Sequence, residues 1–243
     1  GYQGWFTTPD DGAQRGWTHY SRRGRFEPGS CTIDLWPDVS ELDDDEKCAT
    51  AFRHADGSVA YVFSSHCRKT VRRHFRWMQE YGIDGAFVQR FAVETYHPVN
   101  RNHCNTVLMH CREGANMHGR AYAVMYDLSG LQAGQMNHVM DDWKSLVDQM
   151  HIGRDERDRV YLREGGKPVV AVWGVGFNDG RPYTLDECQE LVQFLKHDMQ
   201  YGGCTVMLGV PTGWRTLDRD SLNDAKLQDV ILQADIVSPW TVG

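Results

Sequence analysis

The chain has 243 residues, a net charge of −7 and a hydrophobic fraction of 41%, which together fit one large α/β domain. The negative charge argues against a general nucleic-acid-binding surface, and no apolar stretch approaches the roughly 20 residues of a membrane-spanning helix. The seven cysteines leave at least one thiol unpaired and do not settle the cellular compartment.

Six apolar runs with β-type composition each end in a cluster of polar and aromatic residues, and helical segments separate most of them. The runs cover residues 2–6, 85–89, 121–126, 168–173, 204–209 and 235–238. Repeated strand–loop–helix units build a parallel sheet, and such sheets bind ligands at the carboxyl ends of their strands. The rhythm therefore predicts where a binding site lies.

The segments between the runs predict helices and one insertion. An elaborated loop at about residues 7–64 contains Asp56-Gly57, which is typical of a β-hairpin turn. Thr184 and Glu187 form a capping-box pattern. The predicted helices cover residues 67–81, 101–113, 135–150, 185–201 and a segment from Asp220 or Ser221 to 233. No linker interrupts the chain, so we expect a single domain over residues 1–243.

Six strands are fewer than a closed (β/α)8 barrel contains, although the chain is close to the usual barrel length of about 250 residues. We therefore predict a TIM-type (β/α)8 barrel that is incomplete in this chain. A six-stranded remnant would leave its first and last strands as parallel edges, which proteins usually avoid. The chain is therefore either part of a longer barrel or, as the alternative, an open α/β sheet.

Polar residues at the predicted strand ends are the candidates for chemistry. Asp127 directly follows the third run and Glu94 lies just beyond the second, while Asp10 and Asp34 occupy the first long loop. Paired carboxylates across a sugar-sized cleft are typical of glycosidases. The alternative for Asp127 is a helix cap or a loop hydrogen bond.

Gln89 and Arg90 emerge from an apolar strand. They fit either a clamp on a ligand's hydroxyl or carboxylate groups, or an internal ion pair. Tryptophans in the loops fit stacking on sugar rings, or packing beneath a loop.

Two other patterns do not support a cofactor. Gly174-Val175-Gly176 opens a loose match to a dinucleotide-binding loop, but the third glycine, Gly180, comes one residue late and no helix begins there. A stretch rich in His and Cys at 97–118 has no CxxC or HxxxH pair. We expect neither a cofactor nor a metal ion.

Four segments in chain order carry a family resemblance. They are the opening Gly-Tyr-Gln-Gly-Trp-Phe with residues 9–12 and 16–20, then residues 84–91, 167–177 and 236–243. Together they resemble glycoside hydrolase family 99 and the 71/99-like proteins, which include endo-α-1,2-mannosidases. The resemblance covers the whole chain.

The resemblance implies a (β/α)8 barrel that acts on an α-linked glycan with retention of configuration. In family 99 the sugar's own 2-hydroxyl is thought to participate, assisted by two carboxylates spaced Glu-x-x-Glu after a late strand. No such motif follows either of the last two predicted strands up to Gly243. We therefore expect the principal acid/base pair beyond that residue, and Asp127 matches an accessory carboxylate of the family.

The predicted function is a carbohydrate-active glycoside hydrolase of the family 99-like type, acting in polysaccharide degradation and secreted or periplasmic. Asp127 and Glu94 are the candidate catalytic residues within the chain. The predicted substrate-binding residues are Trp5, Trp17, His19, Gln89, Arg90, Trp173, Trp214 and Trp240. The expected partner is an oligo- or polysaccharide, with no nucleic acid and no membrane insertion. The alternative function is a non-catalytic carbohydrate-binding module on a degenerate barrel.

Overall fold

The computed structural model describes residues 1–240, which form two compact units. The sheet unit contains Gly1, Ala86–His97 and the chain from Ala121 onward, and the hairpin unit contains Tyr2–Gly85 and Pro98–Arg120. Residues 241–243, the end of the last resemblance segment, lie outside the described residues. In chain order the elements are β1 (Lys47–Arg53), β2 (Val59–Phe63), α1 (Arg68–Glu80), β3 (Gly85–Phe91), α2 (Ala92–Thr95), α3 (Pro98–His118), β4 (Ala121–Asp127), α4 (Asn137–Met150), β5 (Arg163–Glu164), β6 (Lys167–Trp173), α5 (Leu185–His197), β7 (Thr205–Pro211), α6 (Lys226–Ile231) and β8 (Ile236–Trp240).

The sheet unit is built on a mostly parallel sheet in the order β3-β4-β6-β7-β8, with short β5 paired antiparallel to β6. The pairs β4–β6, β6–β7 and β7–β8 are parallel. Strands β4 and β6 are buried along almost their whole length, which explains their near-continuous apolar sequence. Within residues 1–240 the sheet does not close into a barrel. The fold is therefore mixed α/β.

Five of the six predicted strands are confirmed as β3, β4, β6, β7 and β8. The prediction for residues 2–6 is wrong, because Tyr2 makes only an isolated bridge and a turn follows at Gly4 and Trp5. A Cβ atom on Gly4 would approach a methyl carbon of Val107 to 2.5 Å. The backbone therefore turns in close contact with α3 and does not continue as a strand.

The predicted helices are present with adjusted ends. Thr184 and Glu187 form the predicted capping box at the start of α5, with the Glu187 N–H donating to Thr184 Oγ1 at 3.2 Å. The last helix begins only at Lys226. Asp220 does not cap it, because its carboxylate accepts the backbone N–H groups of Thr212 and Gly213.

The hairpin unit contains the predicted hairpin, with β1 and β2 antiparallel. Tyr20, Phe26 and Val62 form the buried centre of an aromatic cluster in this unit. The basic residues of α1 are paired with acidic groups, among them Arg73 with Glu46 and Arg68 with Glu113. Among the described residues, the helices are too short or too polar to cross a membrane.

Candidate functional site

Strand register places several candidate side chains on one face at the carboxyl edge of the sheet. Asp127 at the end of β4 is the register partner of Trp173 on β6, which is in turn the partner of Gly209 on β7. Gly209 pairs with Ser238, and Trp240 lies two residues farther along β8. Because side chains alternate along a strand, Asp127, Trp173 and Trp240 point to the same side of the sheet.

Asp127 is buried, and both of its carboxylate oxygens accept hydrogen bonds. Gln89 Nε2 donates to Oδ2 at 2.6 Å, and the backbone N–H of Ser129 donates to Oδ1 at 2.8 Å. Asp127 therefore makes the loop hydrogen bond that was the alternative prediction for it, through Ser129. It also contacts Gln89, which is another of the predicted site residues. Two fixed donors hold the carboxylate in one orientation, and each oxygen keeps a further lone pair for another donor.

Trp173 is the centre of an aromatic group at this edge. Its ring centroid lies 5.1 Å from that of Phe177 and 5.4 Å from that of Trp240, the latter in an edge-to-face arrangement. The indole lies across Gly209, where a Cβ atom would approach Trp173 Cδ1 to 2.5 Å. Among residues 1–240, the buried Nε1–H of Trp173 has no hydrogen-bond partner. A buried donor of this kind is costly unless something outside these residues accepts from it.

Arg181 covers the Trp173 ring and was not singled out from the sequence. Its guanidinium carbon lies 4.8 Å from the Trp173 ring centroid and 5.1 Å from that of Phe177. It makes a two-pronged ion pair with Asp179 and donates from Nη1 to the hydroxyl of Tyr183 at 2.9 Å. Burial acts to lower the pKa of Arg181, but Asp179 and Tyr183 raise it above its ordinary value, so the cation is held over the ring. The Trp173 face is therefore occupied, and stacking of a sugar on that face is blocked.

The glycine-rich segment after β6 makes room for Arg181. Gly174 has a φ of +114°, and a Cβ atom there would lie 2.6 Å from Arg181 Nη1. The Tyr183 hydroxyl donates to the Gly174 carbonyl at 2.8 Å. These contacts explain the glycine without a bound phosphate. The sequence signal for Arg181 was its position among aromatic and charged residues shortly after the end of β6, in the segment whose glycines loosely match a nucleotide-binding loop.

Arg90 is in the internal ion pair that the sequence left open as an alternative to a ligand clamp. Its Nε and Nη2 donate to the two carboxylate oxygens of Asp142 on α4 at 2.7 and 2.6 Å, and both side chains are 2–3% exposed. The Tyr126 hydroxyl donates to the same carboxylate at 2.7 Å. Burial, and then the charge of Asp142, raise the pKa of Tyr126 well above its usual value, which keeps this hydroxyl a donor.

Two further predicted residues of the sheet unit occupy nearby loops. Glu94 lies on α2, directly after β3, and is half-buried. Trp214 lies in the loop after β7, where the guanidinium of Arg215 covers its ring at 5.0 Å. Both positions follow the carboxyl ends of strands.

The remaining predicted residues belong to the hairpin unit. Trp5 stacks on His19 with their ring centroids 4.8 Å apart, and Trp17 packs against Phe26 in the aromatic cluster. Burial, with a smaller effect from Arg15, lowers the pKa of His19 to about 4, so its ring is neutral at pH 7. The predicted convergence of Trp5 and His19 with Asp127 stays a prediction.

Comparison with known proteins shows a likeness in fold. No protein-family model matches the sequence, and neither does any curated protein sequence. The structure resembles the GH99 endo-alpha-mannosidase from Bacteroides thetaiotaomicron, with a TM-score of 0.56 and 15% identity over 99% of this chain. A second structure, of the same enzyme in complex with BIS-TRIS-propane, matches with a TM-score of 0.54 and 13% identity. The chain spans only 60% and 57% of those two chains.

Proposed function

We propose that the sheet unit binds an α-linked glycan at the carboxyl edge of its sheet. The observation that carries this proposal is the shared face of Asp127, Trp173 and Trp240, with Gln89 fixing the orientation of the carboxylate. The fold likeness to an endo-alpha-mannosidase supports the same class of ligand, because ligands of parallel α/β proteins lie at this edge.

Asp127 and Trp173 supply complementary hydrogen-bonding groups for sugar hydroxyls. Asp127 accepts, because its carboxylate is already aligned by Gln89 and Ser129. The Trp173 Nε1–H is the proposed donor, since it lacks a partner within residues 1–240, and the indole has to shift for a sugar hydroxyl to reach this buried atom. A sugar hydroxyl both donates and accepts, so it can pair with either group. Trp240 contributes apolar surface beside them.

We further propose that the chain is part of a retaining glycoside hydrolase of the endo-α-mannosidase-like type, secreted or periplasmic. In this proposal Asp127 orients the sugar, and Glu94 is the second carboxylate in the chain that could assist proton transfer. The chain spans 60% of the length of the enzyme with the similar fold. We propose that the principal acid/base pair of this mechanism is not among the present 243 residues.

A non-catalytic carbohydrate-binding function is the second candidate. It is favoured by one observation, which is that both oxygens of Asp127 are engaged by N–H donors. An acceptor held in this way suits ligand orientation, whereas a general acid must carry and release a proton.

A glycan array rich in α-linked manno-oligosaccharides, followed by product analysis of the bound glycans, tests both candidates. Retained binding with no cleavage supports the binding function, and cleavage that is lost in Glu94→Gln supports hydrolysis within this chain. Binding that does not depend on Asp127 or Trp173 would contradict the proposed site.

A further inference from the structure

Three histidines that are separated in sequence come together in the hairpin unit. His66 Nδ1 lies 3.1 Å from His103 Nδ1, and their rings are 5.3 Å apart between centroids. His110 lies one α3 heptad beyond His103, with its ring centroid 6.5 Å from that of His66. His103 and His110 lack the close HxxxH spacing of common metal ligands, and His66 lies 37 positions before His103. The sequence therefore did not predict this cluster.

The first two nitrogens are at the spacing of metal ligands. Two imidazole nitrogens bound to one tetrahedral zinc ion, each at 2.0–2.1 Å, lie about 3.3 Å apart. His66 Nδ1 and His103 Nδ1 are within about 0.2 Å of that separation. Without metal, one of these nitrogens must donate its proton to the other, so the pair forms a single hydrogen bond.

The tautomer of His103 is set by the backbone. Its Nε2 lies 2.9 Å from the carbonyl oxygen of Gly4, which can only accept, so Nε2 carries the proton. The lone pair of Nδ1 is therefore directed at His66. Metal-bound histidines commonly donate their other ring N–H to a carbonyl or carboxylate in this way, which fixes the ring orientation.

His110 offers a third nitrogen. Its Nδ1 is buried and has no hydrogen-bond partner among the described residues. The nitrogens of the three rings do not all lie within 4.8 Å of one another, so a rotation of the His110 side chain is needed to complete the set. His110 also lines a surface cavity of about 430 Å³.

Two carboxylates and three arginines act on the histidine cluster, and the rings are neutral. Burial lowers the pKa of His66 and of His110, and burial followed by Arg15 lowers that of His103 to about 4. Asp11 acts on His66 and His103 against Arg15, and Glu113 acts on His110 against Arg68 and Arg72. Neutral imidazole is the form that coordinates a metal ion.

We propose that His66, His103 and His110 form a binding site for a divalent transition metal of the zinc class, which joins the segment before α1 to α3. Three imidazoles with an open fourth position are a known zinc-ligand set, and imidazole also suits copper and nickel. The acidic group of Asp43, Asp45 and Glu46 is a poorer candidate, because Lys69 and Arg73 already pair with it.

Titration of the untagged, chelator-treated chain with Co²⁺ and then Zn²⁺ tests this proposal. We expect one equivalent of Co²⁺ to produce the visible absorption bands of a low-coordinate cobalt site, and Zn²⁺ to displace it and raise the melting temperature. Loss of an outer partner of a metal ligand typically weakens metal binding 10–100-fold. His66→Ala and His110→Ala, which remove ligands, should therefore weaken Zn²⁺ binding by at least about 100-fold.

His54→Ala is the matched control, because His54 is exposed at the end of the hairpin strand β1 in the same unit. It should bind Zn²⁺ as the unaltered chain does. His110 is only half-buried, so His110→Ala provides the answer if His66→Ala does not fold. Absence of cobalt bands in the folded chain overturns the proposal. So does Zn²⁺ binding that survives His110→Ala or that is lost in Asp45→Asn.

Discussion

Replacing Asp127 with asparagine separates a ligand-binding role from a structural one. The substitution removes the charge but keeps the shape, and the asparagine oxygen can still accept from the Ser129 N–H. Its new NH₂ group faces Gln89, whose amide can rotate to present its oxygen. Both hydrogen bonds therefore persist in neutral form.

The cost in stability follows from that exchange. Hydrogen bonds to charged groups contribute about 1.5–3 kcal/mol, and neutral ones about 0.5–1.5 kcal/mol. With partial compensation by the rotated Gln89, we expect a loss of about 1 kcal/mol, which corresponds to a melting-temperature decrease of about 2–4 °C in a chain of this size. Affinity for an α-linked manno-oligosaccharide should fall at least tenfold, or about 1.4 kcal/mol, because a charge-assisted hydrogen bond to the sugar is lost.

Asp142→Asn is the matched control in the same unit. Asp142 is equally buried but pairs with Arg90 and Tyr126, so its neutralisation leaves a buried cation without its partner. Breaking such a pair costs about 3–5 kcal/mol. Calorimetric titration and thermal melting of both variants should show opposite patterns. If Asp127→Asn binds the glycan as tightly as the unaltered chain while its melting temperature falls by many degrees, Asp127 is only structural.

Three further outcomes are expected. Trp173→Phe keeps the ring beneath Arg181 but removes the Nε1–H, so glycan affinity measured by calorimetry should fall about 3–10-fold with little change in melting temperature; equal affinity would show that this N–H does not contact the sugar. Gly209→Ala places a Cβ atom 2.5 Å from Trp173 Cδ1, so it should lower the free energy of unfolding, measured with denaturant, by about 1–3 kcal/mol and should also weaken glycan binding. An unchanged unfolding midpoint would contradict the close contact. Burial lowers the pKa of His74 from 6.5 to about 4, so between these pH values the unfolded chain binds more protons than the folded chain. The free energy of unfolding should therefore decrease as the pH falls from about 6.5 towards 4. His74→Gln, whose side chain can still accept a hydrogen bond from Tyr2, should show a shallower decline in melting temperature over that range.

Local sequence patterns determined much of the sheet unit. Near-continuous apolar runs bounded by turn residues located five strands, and the Thr184–Glu187 box located the start of α5. Asp127 was found because a polar residue directly after a buried strand must emerge at the carboxyl edge. These features depend on residues within a few positions of one another, so the linear sequence contains the information needed to predict them.

The tertiary structure decided what those side chains contact. Arg90 could have bound a ligand, but it pairs with Asp142, 52 positions away, because α4 brings that carboxylate to it. Trp173 was expected to stack on a sugar, but Arg181 occupies its face. His66 meets His103 only through the packing of the hairpin unit, and the first apolar run turns against α3 at Gly4. Such partners depend on strand register and helix packing, which bring together residues whose separation along the chain has no fixed period.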